Sequence, residues 1–161
     1  MRMLLASCSL FALLTLAAPA QAAHNSAKPL TDSDIQLLRS DVQADKTAII
    51  THTMKFSDPE SAAFWPLYRT YSNDQQVIGD ERVQLIKDYA LNYDTMDNAK
   101  ANELVQRLIR IEDKTLSLRK SYWPKFVKAL GAKRAAKFYQ VDNRLSLMID
   151  VQLTDNIPLI P

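Results

Sequence analysis

The fold is decided by residues 97–131, which read DNAKANELVQRLIRIEDKTLSLRKSYWPKFVKALG. Side chains suited to a helical seam recur there every four or three positions, at Leu104, Leu108, Ile111, Thr115, Leu118 and Tyr122. Further apolar residues lie beside this seam and widen the face, as packing inside a bundle requires: Val105, Ile109, Leu116, Trp123 and Val127. Thr95-Met96-Asp97 caps the predicted helix, which runs to about Ala129 and is closed by Gly131.

Outward from this segment, the same patterns predict three more helices. The first runs from Asp32 to about Thr53. The second begins at the capping box Ser57-Asp58-Pro59-Glu60 and continues unbroken to about Ala90. The fourth runs from about Ala132 to Leu153. The chain has only two glycines and little alternating apolar pattern. We therefore predict an all-α fold of four long amphipathic helices in two hairpins, arranged as a bundle or an arched cradle and dimeric.

The first residues of the chain predict its location, and the last ones predict an extended tail. Residues 1–22 combine a basic start, an apolar run and the cleavage site Ala20-Gln21-Ala22, which is typical of a secretory signal peptide. Export to the periplasm follows, with a flexible linker at 23–30, a helical domain at 31–153 and an extended, proline-locked apolar tail at 154–161. The only cysteine, Cys8, lies in the signal, so the mature chain has no thiol. No later segment reaches the roughly 20 apolar residues of a membrane span.

Charge is distributed unevenly along the chain. Residues 31–99 carry 12 acidic and 6 basic side chains, whereas residues 100–144 carry 12 basic and 4 acidic ones. One interpretation is that the acidic half packs on the basic half, within one chain or across a dimer. The alternatives are a basic surface that attracts acidic or unfolded proteins, or one that attracts anionic lipid or surface polymer. Export argues against nucleic acid as the partner.

An aromatic-Trp-Pro pattern occurs twice, as Phe64-Trp65-Pro66-Leu67-Tyr68 and as Tyr122-Trp123-Pro124-Lys125-Phe126. Either these residues belong to the core beside tolerated helix kinks, or they line a concave surface with a cationic rim that captures unfolded chains. The second interpretation gives the candidate client-binding residues: Phe64, Trp65, Tyr68, Lys120, Tyr122, Trp123, Lys125, Phe126 and Lys128.

The sequence contains no motif of an enzyme. It lacks a nucleophile elbow, a glycine-rich phosphate loop and a zinc-protease helix. Acidic neighbours such as Glu112-Asp113 diverge on a helix, which is typical of a solvated face. His52, near Asp45, is a possible start of a metal site, but no set of three or four ligands is visible. We therefore predict no catalytic residue, no metal site and no cofactor.

A second repeat relates Phe56-Ser57-Asp58-Pro59-Glu60 to Leu130-Gly131-Ala132-Lys133-Arg134, each followed by a similar aromatic helix. In this placement the chain resembles the Spy/CpxP group of periplasmic stress proteins, which carry two Leu-Thr-x-x-Gln helix starts. Glu60 and Arg134 replace the final Gln, and Gly131 replaces Thr. The resemblance implies an antiparallel, cradle-shaped dimer that shields unfolded proteins without ATP, or a relative that senses envelope stress or metals.

The expected function is therefore protein binding, by a Spy-like ATP-independent chaperone or envelope-stress protein whose partners are unfolded or envelope proteins and a second copy of the chain. A structural or scaffolding helical module without clients is the alternative, and a metal-responsive periplasmic sensor is the third possibility.

Overall fold

The computed structural model describes residues 32–154 and 157–160, with side chains described from residue 42 onward. Within these ranges it contains four helices, α1 (Asp32–Met54), α2 (Asp58–Asn92), α3 (Asn98–Leu130) and α4 (Ala132–Thr154), and no strand. A 3-10 turn, Tyr93–Thr95, follows α2. The all-α prediction is confirmed. The predicted signal peptide, with Cys8, and the linker lie outside the described residues.

The helix ends follow the local signals in the sequence. The Glu60 side chain accepts hydrogen bonds from the backbone N–H of Ser57 at 2.9 Å and from its hydroxyl at 3.0 Å, which ties down the first turn of α2. Asp97 caps α3 by accepting from the Lys100 N–H at 2.7 Å. Both α2 and α3 continue through an internal proline, Pro66 in α2 and Pro124 in α3. The prediction of one unbroken second helix is confirmed.

Gly131 links α3 to α4 through an unusual backbone conformation. Its N–H donates to the Val127 carbonyl at 2.8 Å, and its own carbonyl accepts from the Ala135 N–H at 3.0 Å. It has φ of 75° and ψ of 154°, in a region that glycine adopts freely and L-residues avoid. A single residue without a Cβ therefore ends one helix and starts the next.

We expect Gly131→Ala to lower the free energy of unfolding by about 1–2 kcal/mol, as measured by urea denaturation. A Cβ at this position would meet no atom within 4 Å, so the loss would come from backbone strain alone. The matched control is Gly79→Ala inside α2, where a Cβ also meets nothing. It should raise stability by up to about 1 kcal/mol through helix propensity. Shifts of the same sign in both variants would contradict this assignment.

The backbones of α2 and α3, of α3 and α4, and of α4 and α1 pack next to one another. Phe126 of α3 lies beside Phe138 of α4, and the Lys137 ammonium of α4 donates to the Thr53 carbonyl of α1 at 2.7 Å. The start of α4 therefore lies beside the ends of both α3 and α1, so α4 runs opposite to each of these two helices. α1 and α2 contact each other through side chains, where the Ser72 hydroxyl donates to the Gln43 side-chain oxygen at 2.9 Å.

Two apolar clusters hold these helices together. The larger one is shared by all four helices and is rich in aromatic rings; its buried members are Ile50, Met54, Phe64, Tyr68, Tyr71, Tyr122, Phe126, Leu130, Ala135, Phe138 and Leu145. The smaller one lies between the second half of α2 and the first half of α3, and its buried members are Leu85, Leu104 and Ile111. With 35 residues, α2 is about 50 Å long and extends with α3 beyond the shared core.

Acidic residues of α2 pair with α3 at a spacing of seven. Asp74 accepts from the Tyr122 hydroxyl at 2.6 Å, Glu81 accepts from the Lys114 ammonium at 2.6 Å, and Asp88 pairs with Arg107. Exposed ion pairs add little stability, but a regular series of them favours one register of the two helices. The acidic part of the chain thus packs on the basic part within one chain.

No helix in the described part of the chain is both long enough and apolar enough to cross a membrane.

Candidate protein-binding surface

Four of the six aromatic residues predicted to bind clients lie in the core instead. Phe64, Tyr68, Tyr122 and Phe126 are all at most 4% exposed. They occupy the inward positions of α2 and α3, where the two aromatic-Trp-Pro segments face each other across the bundle. Expecting these four side chains to line a surface is therefore wrong for the folded chain, and the core interpretation holds for them.

The two tryptophans differ from the buried rings. Trp65 is half-buried and covers the edge of the core. Its ring centre lies 6.0 Å from that of Phe56 and 5.0 Å from that of Phe64. Trp123 is 39% exposed, and its ring meets that of Tyr139 of α4 edge-on at 6.2 Å. Of the predicted aromatic residues, Trp123 therefore presents the most surface to solvent.

The predicted lysine rim is exposed but divided. Lys120, Lys125 and Lys128 all lie on the outside of α3. The Lys125 ammonium sits 4.2 Å from the centre of the Tyr122 ring, so this lysine covers a core aromatic by a cation–π contact. Lys120 precedes Trp123 by one helical turn and therefore flanks its exposed ring.

A second apolar stripe runs along the exposed face of α3. It consists of Val105, Ile109, Leu116 and Trp123, which are 39% to 50% exposed, and is called the α3 stripe below. Each member follows a core-facing residue by one position, which turns it by about 100° around the helix. The stripe continues onto α4 through the exposed ring of Tyr139.

The sequence assigned Val105, Ile109 and Leu116 to the inside of a bundle, which is wrong for these side chains, whereas it placed Trp123 either there or on the client-binding surface. The reason is the width of the apolar face. α4 runs beside α3 at the level of Trp123, whose ring meets Tyr139, yet Trp123 stays 39% exposed because α2 and α4 pack on the seam and not on the side chains one position further round the helix. Towards its end α4 also reaches α2, where Asp150 lies 3.9 Å from Arg82. An apolar face wider than one neighbour can cover was visible in the sequence, although which part stays open was not.

Charge beside Leu116 and Trp123, the C-terminal half of the α3 stripe, is positive, whereas the exposed Glu112 and Asp113 lie one turn after Ile109. Residues 114–141 include eight basic side chains and no acidic one. Some of these are occupied within the chain, since Lys114 pairs with Glu81 and Arg134 pairs with Glu60. Lys120, Lys128 and Lys133 are exposed. The C-terminal half of α3 and the start of α4 therefore present exposed apolar side chains together with exposed lysines.

Polar side chains from all four helices meet at the centre of the bundle. Asp142 of α4 is 2% exposed; it accepts from the Tyr71 hydroxyl at 2.9 Å and lies 3.8 Å from the Lys46 ammonium. Gln75 donates to the Tyr71 hydroxyl at 2.9 Å. Arg119 of α3 lines a cavity of about 10 Å³ together with Tyr71 and Asp142, which is room for about one water molecule. This buried network specifies how the helices meet and leaves no room for an organic ligand in that cavity.

Burial shifts the titration of two members of this centre in opposite senses. It lowers the pKa of Lys46, and the charge on Asp142 opposes that shift. Burial, followed by the charge on Asp142, raises the pKa of Tyr68 to about 12. The Tyr68 hydroxyl therefore stays neutral across the physiological range.

The two copies of the second repeat meet at one end of the bundle. The Arg134 guanidinium donates to both carboxylate oxygens of Glu60, at 2.8 Å and 3.0 Å, and lies 5.6 Å from the ring centre of Phe56. The N–H of Ser57, its hydroxyl and then Arg134 hold the pKa of Glu60 below its usual value. The two positions that depart from the Gln of the Spy/CpxP pattern thus pair with each other, which the sequence alone did not reveal.

The described residues form no group of three or more potential metal ligands drawn from His, Cys, Asp and Glu. His52 and Asp45 are both exposed on α1. His24 lies outside the described residues.

No protein-family model matches this chain, and no curated protein or solved structure matches it significantly. The resemblance to the Spy/CpxP group therefore remains an interpretation of motif positions.

Proposed function

We propose that this protein is exported and binds unfolded or partly folded envelope proteins without ATP, as the Spy/CpxP resemblance implies, and that the α3 stripe is its binding surface. The exposure of the stripe carries this proposal. Four apolar side chains, each 39% to 50% exposed, follow one face of α3, with the exposed Glu112 between Ile109 and Leu116, and an apolar segment of a client can contact them.

The surrounding charge supports the same class of partner. Exposed Lys120 flanks Trp123 on α3, exposed Lys133 opens α4, and exposed Lys128 lies about 140° round α3 from Trp123. Cationic groups around an apolar line attract acidic segments over a distance, while the apolar contacts hold them without demanding one sequence. This combination suits capture of varied unfolded chains better than recognition of one folded partner.

The proposal keeps part of the predicted site and moves the rest. Trp123 and Lys120 stay in the binding surface, whereas Lys128 faces another side of α3. The buried rings act as the core that holds α3 in place. Val105, Ile109 and Leu116 join the surface in their stead. Export to the periplasm and assembly as a homodimer belong to the proposal as predictions from sequence.

The test is light scattering from an unrelated protein that aggregates on unfolding, measured with and without this protein and in the absence of nucleotide. We expect suppression at near-stoichiometric amounts. The double variant Leu116→Asn, Trp123→Ala should require about tenfold more protein for the same effect, since losing two central apolar contacts costs about 1.4 kcal/mol or more of binding free energy. The matched control is Leu91→Asn on α2, whose side chain is 82% exposed and lies off the stripe. It should behave like the unaltered protein.

The mass of each variant is measured in parallel by sedimentation. Equal loss of suppression in the Leu91 control, or no suppression by the unaltered protein at several-fold excess, would contradict the proposal and favour a scaffold. If the double variant changes the oligomeric state and leaves suppression intact, a second copy covers the stripe, and the stripe is not the client surface.

A further inference from the structure

The described part of the C-terminal tail, residues 157–160, is bound to the end of α2. The Tyr89 hydroxyl donates to the Pro158 carbonyl at 2.7 Å, and the Tyr93 hydroxyl donates to the Leu159 carbonyl at 3.1 Å. The two tyrosine rings meet edge-on at 5.9 Å. Two successive carbonyls of an irregular segment are therefore recognised by two successive hydroxyls, one helical turn apart.

This contact recognises the main chain of the tail more than its side chains. Leu159 is 89% exposed and Ile160 is 48% exposed, so neither is inserted into a pocket. Proline lacks an N–H and has a fixed φ, which leaves its segment extended with carbonyls free to accept. Tyrosine hydroxyls that donate to such carbonyls are the mode by which aromatic grooves bind proline-containing peptides.

Tyr89 is held in place independently of the tail. Tyr89 packs against the smaller apolar cluster between α2 and α3, whose buried members are Leu85, Leu104 and Ile111. Burial, followed by the neighbouring Tyr93, raises the pKa of Tyr89, so its hydroxyl remains a donor at neutral pH. The tail itself contributes to neither apolar cluster. Tyr89 thus keeps its position through contacts with the helices, and the apolar core does not depend on the tail.

We propose that Tyr89 and Tyr93 form a docking site for extended, proline-containing apolar peptide segments, and that residues 157–160 occupy this site as a tethered internal ligand. A tether gives the tail a local concentration in the millimolar range, so a segment from another chain binds only by competing with it. This site is separate from the α3 stripe and does not depend on the chaperone proposal.

The test compares the full chain with a variant that lacks residues 157–161. The probe is a fluorescent synthetic peptide of residues 156–161, NIPLIP, and its anisotropy reports binding. We expect the shortened chain to bind the peptide at least about tenfold more tightly than the full chain, because the tethered competitor has been removed. Circular dichroism should show the same helix content in both.

Two variants of the shortened chain identify the site. Tyr89→Phe with Tyr93→Phe removes only the two hydroxyl donors and should abolish peptide binding. Thr70→Val is the control, since it removes an exposed hydroxyl of α2 far from the tail, and it should leave binding unchanged. A peptide with both prolines replaced by glycine should bind at least about tenfold more weakly, because it is no longer pre-extended.

Three results would overturn the proposal. One is no peptide binding to the folded, shortened chain. Another is equal binding to the full and shortened chains, which would show that the tail does not occupy the site. The third is equal loss in the Thr70 control and in the Tyr89, Tyr93 variant. None of these measurements involves client aggregation, so failure here and failure of the chaperone proposal are distinguishable.

Discussion

Phe64→Ala is expected to lower the free energy of unfolding by about 3–5 kcal/mol, which is a large part of the stability of a domain of this size. Phe64 is fully buried at the centre of the core shared by all four helices. Its ring lies within 4.4 Å to 5.7 Å, centre to centre, of five others: Phe56, Trp65, Tyr68, Phe126 and Phe138. Removing it leaves a cavity that long, rigid helices can collapse into only partly.

The measurement is urea or guanidinium unfolding followed by far-UV circular dichroism. Phe64→Leu retains most of the side-chain volume and should lose less than about half as much stability, which keeps the comparison informative if the alanine variant does not fold. Leu91→Ala removes an apolar side chain that is 82% exposed and should change stability by no more than about 0.5 kcal/mol. A Phe64→Ala loss as small as that of Leu91→Ala would mean that the core is not organised around this ring.

Asp142→Leu is expected to cost about 3–5 kcal/mol, because it leaves the buried ammonium of Lys46 without its counter-charge. Asp142 is the acceptor of the Tyr71 hydroxyl and the ion-pair partner of Lys46 at the centre of the bundle. An apolar side chain of similar size adds favourable burial but satisfies neither donor. Burial lowers the pKa of Lys46, and the charge on Asp142 opposes this shift. In the Asp142→Leu variant we therefore expect the pKa of Lys46 to fall further, so that the lysine loses its proton more readily.

A double-mutant cycle separates the pair from general damage to the core. Lys46→Met also disrupts the pair, while Lys46→Met with Asp142→Leu replaces both charges by apolar groups of similar volume. The double variant should be more stable than Asp142→Leu alone, with a coupling energy of about 1–3 kcal/mol in unfolding experiments. Additive losses would show that the two side chains do not interact in the folded chain.

Local patterns predicted the helices well. The Ser57-to-Glu60 capping box starts α2, Asp97 caps α3, and Gly131 separates α3 from α4, all as expected from sequence. Each of these signals acts within one turn of the chain, so each can be recognised without knowing what the helix packs against. The charge totals of the two halves also indicated that they pack on each other, although the pairing of the residues at 74, 81 and 88 was seen only in the structure.

The candidate site was predicted less well, and α3 shows why. Leu104 and Val105 are neighbours of similar hydropathy, yet Leu104 is buried and Val105 is 50% exposed. In the same way Tyr122 is buried, whereas Trp123 forms part of the surface. Both members of each pair belong to one broad apolar face in the sequence. Which half of that face is covered depends on where α2 and α4 pack around α3, which is a property of other segments.

The sequence by itself determined an all-α chain, the number and ends of its long helices, and the complementary charge of its two halves. These features depend on propensity, capping and periodicity, which act over a few residues. Only the tertiary structure decided that the aromatic-Trp-Pro segments supply core rings, that Glu60 pairs with Arg134 across 74 positions, and that the C-terminal segment reaches Tyr89 and Tyr93. Such contacts join residues far apart in the chain, and their geometry is set by how whole helices pack and how far each one extends.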